Sequence, residues 1–380
     1  MRIISVYYTH KPGGFCKRLY RLSNALVQRK HEVHYLSLDP PPAIVSREVR
    51  YSRIPFPIKK RSGIIFWSIF SAWAPLWIMY KAICIRPDRY LAFGAYYSAI
   101  MQLAKLVRPA PLILFVRSLV FKIDRISGKP RPIRWISERL EKYGILSANR
   151  VISLTNTMQS ALEEFVGRSL PHPGVLYNDL PPLRERSKLS PEFDSLRATL
   201  KQKYAEEDIV VLTSGVFTKR KNLTILLEAF HLLQSKGVSA VLIVCGSGKL
   251  LDKYKEEAKE LGLTQIEFIG WCDFLEELFP LVDLVVHPSL HEGIANSILE
   301  AIAYDVPVLV ADTPEQREVF DVAEALFDPT SVDDLATKLY RFIEDQSFRS
   351  KLEDGIRRVG VKLDFDWEQA ASDLIVQADS

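Results

Sequence analysis

Along most of the chain, short apolar runs of strand length alternate with longer segments whose apolar residues recur at helical spacing. Residues 3–8 form the first run. Residues 17–29 follow, with Leu19, Leu22 and Leu26 on one helical face and Val27 on its flank. His31, Glu32 and Val33 lead a second strand that ends at Leu38. The rhythm continues through strands at 90–93, 112–117 and 150–154 and helices at 97–107, 133–143 and 157–165. Residues 181–191, PPLRERSKLSP, are polar and flanked by proline, and predict a linker. A second series starts beyond them, with strands at 209–213, 241–245 and 266–270 and a helix at 223–233. Residues 284–310 then read as strand, loop, helix, turn and strand, with the helix at 296–304 and the closing strand at 306–310. Leu335 to Phe342 presents a last core-facing apolar side. Two alternating halves predict an α/β protein of two doubly wound domains, with ligands at the carboxyl ends of the strands.

Residues 64–85, IIFWSIFSAWAPLWIMYKAICI, depart from this pattern. Lys81 is their single charge, and Pro75 interrupts them. A helix here is apolar all round and must be buried in protein or lipid. If continuous, it would be about 30 Å long. Three readings stand open: two buried helices broken at Pro75, a peripheral membrane contact through residues 64–80, and a membrane span. Trp67, Trp73, Trp77 and Tyr80 suit a membrane interface, and Lys59, Lys60, Arg61 and Arg86 suit anionic head groups. Arg86, Pro87 and Asp88, which lead straight into a strand, argue against a span.

A chain of 380 residues exceeds one ordinary core and fits two domains. With 48% hydrophobic and 25% charged residues the composition is globular. The net charge of +4 is too slight to argue for nucleic acid, and no nucleic-acid partner is expected. Basic residues gather locally at Lys59, Lys60 and Arg61, at Lys129, Arg131 and Arg134, and at Lys219, Arg220 and Lys221; each is a solvated face unless something else supports it. Cys16, Cys84, Cys245 and Cys272 show no metal or disulfide spacing. Cys84 and Cys245 lie in apolar runs, which predicts buried thiols in a reducing compartment. The apolar run in MRIISVYYTH is too short for a signal peptide, so a cytoplasmic location is expected.

The candidate chemistry concentrates in LVVHPSLHEGIANSILEAIAYDVPVL, residues 284–309. Glu292 sits in the loop before the helix, and Glu300 lies two turns later. Between them the backbone N–H groups of Gly293, Ile294 and Ala295 lack helical partners and carry the positive end of the helix dipole, which suits a phosphate. Asn296 either adds a hydrogen bond or caps the helix. Gly13 and Gly14, after the first strand, let backbone approach a ligand. Arg117 ends the strand at 112–117 and either contacts a phosphate or acidic acceptor or pairs with a carboxylate.

These segments, taken in order, resemble the retaining glycosyltransferases of family 4, the glycosyltransferase group 1 type. Glu292 and Glu300 match the EX7E pattern within PSLHEGIANSILEAIAYDVPV, and SGVFTKRKNLTILLEAFHLL resembles GR…KG…LLEAF. PGGFCKRLYRLSNALVQRKHEV resembles the GG…R…ALxxxGHEV opening, with Lys30 where the family usually has glycine. NRVISLTNTMQSALEEF, VLYND, the GSG at 246–248, Trp271 with Asp273, and FDWEQAA also fall in the family's order. The resemblance implies two Rossmann-like domains facing across a cleft, the GT-B arrangement. The first is an acceptor-side domain at 1–180, joined through the linker at 181–191 to a nucleotide-sugar domain at 192–363, with 364–380 crossing back onto the first. It implies retaining transfer from a nucleotide sugar, UDP favoured, to a saccharide or lipid-linked acceptor in cell-surface glycan synthesis, without a metal or other cofactor. Lys221 and Glu292 take the catalytic roles; Gly13, Gly14, Arg220, Gly293, Ile294, Ala295, Asn296 and Glu300 contact the donor. Two departures stand out. Val216 replaces the usual arginine after glycine, so Lys219 or Arg220 must substitute, or activity falls. Arg117 and Ser118 stand where many members carry a histidine. The departures leave open a non-catalytic partner of a glycosylation complex; a phosphorylase or sugar-nucleotide epimerase on the same fold is a further reading.

Overall fold

The computed structural model describes residues 1–10, 14–183, 191–205, 208–272 and 275–377. Gly13, Asp273 and the middle of the expected linker, 184–190, lie outside the described residues. The chain divides into two compact units. One holds Met1–Arg125, Lys129–Tyr177 and Asp366–Ser380; the other holds Ile126–Gly128 and Asn178–Phe365.

The first unit is built on seven parallel strands: β1 (Arg2–Val6), β2 (Glu32–Ser37), β3 (Arg50–Arg53), β4 (Arg89–Phe93), β5 (Leu112–Val116), β6 (Arg150–Ser153) and β7 (Pro173–Val175). Their order is β3-β2-β1-β4-β5-β6-β7. β4 and β5 are buried at every position, as strands covered on both faces must be. The second unit repeats the plan with β8 (Ile209–Val216), β9 (Ala240–Ser247), β10 (Ile266–Gly270), β11 (Leu284–His287), β12 (Val308–Ala311) and β13 (Leu326–Phe327). Here the order is β10-β9-β8-β11-β12-β13. Both units are therefore Rossmann-like. In each, the strand order reverses once, between β1 and β4 and between β8 and β11, and crevices open at such switch points.

The Ile64–Ile85 helix is continuous, so the break that one of the three readings placed at Pro75 does not occur. Proline removes one helical hydrogen bond and crowds the preceding turn. Packing carries the helix past it: Phe66, Phe70, Ala74, Ile78 and Ala82, each four residues on, form one buried stripe. Phe66, Trp67 and Phe70 pack around Tyr8, and Ser71 Oγ hydrogen-bonds Tyr96 Oη at 2.8 Å. The reading of two helices buried in protein also fails on exposure. Ile64, Ile65, Ile69, Trp73, Leu76, Tyr80 and Ile83 are exposed. The helix is long and apolar enough to cross a membrane by length and composition. Cys84 lies on this open side and is exposed, against the buried thiol expected.

Cys245 is buried as expected, but its sulfur lies 2.9 Å from that of Cys272. Linear spacing gave no sign of this, because the register of β9 beside β10 brings distant residues together. The helix Trp367–Val376 groups with the first unit. Glu368 forms a two-pronged pair with Arg21, and Leu374 O accepts from Arg150 at 3.1 Å.

Candidate functional site

β8 continues past the expected end at Thr213 through Ser214, Gly215 and Val216. It pairs with β9 to the last residue, Gly215 opposite Gly246 and Val216 opposite Ser247. The approach is close: a Cβ on Gly246 would lie 1.9 Å from Gly215 O, and one on Gly248 2.4 Å from Phe217 O. The glycines of the GSG segment are therefore required by backbone packing, and Gly246 and Ser247 belong to the strand rather than to a loop.

After β8 the chain turns through the 3₁₀ turn Lys219–Lys221 and through Asn222, which holds a left-handed φ of 50°. Asn222 is fixed there by its side-chain amide, which donates to Pro329 O at 2.9 Å. The turn sends Lys221 back over Gly215, where a Cβ would touch its Cε at 3.1 Å. Lys221 Nζ then donates to Glu292 Oε2 at 2.9 Å and to His287 Nε2 at 3.0 Å. Arg220 donates to the same Glu292 oxygen at 2.5 Å and to His291 O at 3.0 Å. Leu290 N donates to Arg220 O at 2.9 Å, which ties the loop after β11 to the loop after β8. Lys219 is exposed and does not join them. Val216 is also exposed, so Arg220 is the guanidinium of this cluster.

Burial pushes the Glu292 carboxyl up, but Lys221 and Arg220 outweigh it and hold it well below the usual carboxylate range. Both cations converge on Oε2; Oε1 takes no partner among the described residues. Burial, reinforced by Lys221, pushes His287 down to about 3. The ring is therefore neutral, and because Nε2 accepts from Lys221, its proton sits on Nδ1. His287 is the member that sequence reasoning missed. The available signal was a histidine closing an otherwise apolar buried strand.

The cradle of backbone N–H groups is set by two amides. Gln316 Nε2 donates to Gly293 O at 2.7 Å, and Asn178 Nδ2 to Ile294 O at 3.3 Å. In a trans peptide the N–H points opposite the carbonyl, so these bonds turn the N–H groups of Ile294 and Ala295 the other way. The N–H groups of Gly293, Ile294 and Ala295 have no hydrogen-bond partner among the described residues. The helix that follows is Asn296–Ala303, with Ala295 at its cap position. Asn296 is thus its first residue rather than its cap, and Glu300 lies about one turn in. Both are half-buried.

The first unit holds the other predicted residues. Gly14 opens the helix Gly14–Gln28 instead of extending the loop; apolar spacing begins only at Leu19, so the pattern set the start too late. Arg117 follows β5, half-buried, with its guanidinium 5.9 Å from the centroid of the Trp367 ring. Among the described residues no three of His, Cys, Asp and Glu gather as a metal site.

Two Rossmann-like units, with a lysine–arginine–glutamate cluster and an open N–H cradle at the switch point of the second, define a protein of the GT-B class. Residues 12–178 match the family described as Glycosyltransferase Family 4, and residues 197–359 match Glycosyl transferases group 1. The chain belongs to these group 1 and family 4 glycosyltransferases. It is 29% identical over 136 residues to the putative glycosyltransferase EpsD of Bacillus subtilis, covering 36% of each chain. It is also 29% identical over 180 residues to the serotype-specific mannosyltransferase WbdA of Escherichia coli, covering 46% of this chain and 22% of that one. The chain thus spans well under half the length of these two relatives. Among solved structures, sucrose-phosphate synthase of Thermosynechococcus elongatus superposes with a TM-score of 0.78 at 17% identity, covering 98% of this chain and 97% of the other. Anabaena HepE in complex with UDP gives 0.74 at 18% identity, covering 98% and 99%.

Proposed function

We propose that the protein transfers a sugar, with retention, from a nucleoside diphosphate, UDP in the first instance, to a hydroxyl of a saccharide or lipid-linked saccharide in cell-surface glycan synthesis. The observation that carries this is the cluster in which Lys221 and Arg220 converge on one oxygen of Glu292, with the other oxygen left free. It is supported by the family, by the mannosyltransferases among the relatives, and by the UDP and UDP-glucose held by HepE.

In the reaction the bond from the anomeric carbon to the diphosphate breaks, and a bond to the acceptor oxygen forms on the same face. The acceptor's proton leaves with the diphosphate. Lys221, Arg220 and the N–H groups of Ile294 and Ala295 stabilise the negative charge that develops on the leaving group. Two fixed cations thereby supply what a divalent ion would, which is the basis for proposing a metal-independent enzyme. Glu292 stays ionised, holds both cations in place and offers Oε1 to a donor-sugar hydroxyl. Neutral His287 accepts from Lys221 and fixes the direction of its ammonium. Glu300 binds the ribose hydroxyls, and Asn296 completes the donor contacts of the second unit. The exposed side of the Ile64–Ile85 helix supplies a peripheral contact with the inner face of the membrane, where a lipid-linked acceptor would reside.

Calorimetric titration with UDP, GDP and ADP, without metal, tests the donor site, with Glu300→Ala as control. One nucleotide is expected to bind and to weaken in the variant, and its sugar conjugates then release sugar slowly into water. If none binds, the loss of arginine at Val216 has disabled the site, and the non-catalytic partner becomes the better reading.

A further inference from the structure

A cavity of about 290 Å³ lies within the first unit, at the carboxyl ends of β1, β4 and β5. That is this unit's own switch point. Four aromatic side chains, Tyr7, Phe93, Tyr96 and Tyr97, help line it; Tyr7 and Tyr97 pack with centroids 4.9 Å apart. Such faces suit the C–H surface of a sugar ring. Arg117 also lines the cavity. Its guanidinium makes no hydrogen bond or ion pair among the described residues, and burial pushes it down to about 9. Glu141, which also lines the cavity, is buried and pushed up by that burial to about 8, so it does not oppose an anion at neutral pH. A partly desolvated arginine without a counter-ion, on an aromatic cavity, lacks an anion that would form a two-pronged pair with it.

We propose that this cavity binds a sugar carrying one anionic group, a carboxylate or a phosphate, seated on Arg117. It deepens the transferase reading and rests on it, since it names the acceptor as an acidic saccharide. The test is calorimetry on the intact protein with glucuronic acid, glucose 1-phosphate, glucose and inorganic phosphate. At least one charged sugar is expected to bind tenfold or more tightly than both glucose and inorganic phosphate, and which of the two prevails identifies the anion. Arg117→Gln is expected to abolish that preference, and Arg117→Lys to retain part of it. Equal affinity for glucose, affinity matched by inorganic phosphate, or a preference surviving in Arg117→Gln overturns the proposal. UDP titration of the same variant reports whether the second unit is intact, so failure here is distinguishable from failure of the donor site.

The sulfurs of Cys245 and Cys272 lie 2.9 Å apart near the end of β9. Cys245 is buried beneath Cys272, which is half-exposed. We infer that the two form a reversible disulfide by exchange with a small-molecule disulfide. Cys272 attacks one sulfur of the reagent and releases one thiol; Cys245 then displaces the second. Two protein S–H bonds and one S–S bond become one protein S–S bond and two small thiols. The linked residues adjoin Gly246, whose neighbour Gly215 lies under Lys221. Incubation of the protein with glutathione disulfide, followed by acid quench and peptide mass spectrometry, is expected to yield one cross-linked peptide pair holding Cys245 and Cys272. Dithiothreitol should reverse it, and Cys272→Ser should lack it. Glutathione retained on Cys272, or reaction of Cys84 with no cross-link, overturns the inference.

Discussion

Lys221→Met separates a catalytic cation from a structural one. The substitution keeps most of the stem that lies over Gly215 but removes the ammonium held between Glu292 at 2.9 Å and His287 at 3.0 Å. Stripping one partner from a buried ion pair costs about 3–5 kcal/mol when the other charge is left alone. Here Arg220 still reaches Glu292, so the loss of stability falls lower, at about 1–3 kcal/mol. A charge-assisted hydrogen bond to the diphosphate contributes a further ~1.5–3 kcal/mol, so nucleotide affinity falls roughly 10- to 150-fold. Thermal unfolding measures the first effect, and calorimetric titration of the bound nucleotide the second. A lower melting temperature with unchanged nucleotide affinity would refute the assignment; Lys221 would then serve only to hold Glu292 and His287.

Glu141 is neutral in the fold to about pH 8 but ionises near 4.5 when unfolded, so its contribution is present below the lower value and fades as pH rises toward the upper. Glu141→Gln can still accept from Val120 N, and should raise the melting temperature at pH 8 with little change at pH 4; equal shifts at both would refute the raised pKa. His287 acts with the opposite sign. Its depressed value makes the fold lose stability as pH falls from about 6.5 toward about 3, and His287→Gln should flatten that limb of a stability–pH curve. Gly246→Ala places a methyl 1.9 Å from Gly215 O at a φ of +150°, so β8 and β9 must part; expression as inclusion bodies or a melting temperature at least ~10 °C lower is expected, and wild-type stability would contradict the packing. Vesicles of phosphatidylglycerol should sediment the protein, and Trp73→Ser with Leu76→Ser should weaken that severalfold. Equal sedimentation of both proteins would leave the exposed side of the Ile64–Ile85 helix without a lipid role.

Much of this protein follows from local pattern alone. The alternation of strand and helix, the residues of β5 and Leu284, Val285 and Val286 of β11 buried by their own apolarity, and the loop order that carries Lys221, Glu292 and Glu300 are properties of nearby residues, which sequence periodicity reports directly. What the sequence could not report depends on register between strands distant along the chain. Parallel pairing of β8 with β11 brings Lys221 to Glu292 and His287, and pairing of β9 with β10 brings Cys245 to Cys272, across separations that no motif spans. The same holds for the choice among basic residues. The resemblance singled out Lys221 but left Lys219 and Arg220 as alternatives for the missing arginine, and only the turn into Asn222 exposes Lys219 and aims Arg220, with Lys221, at one oxygen. Pro75 shows the converse: local propensity allowed a break there, and a buried stripe of five side chains carried the helix through. Local rules fix which elements form because their energies are short-ranged; burial and charge pairing are decided by neighbours in space, and those neighbours exist only once the sheets are assembled.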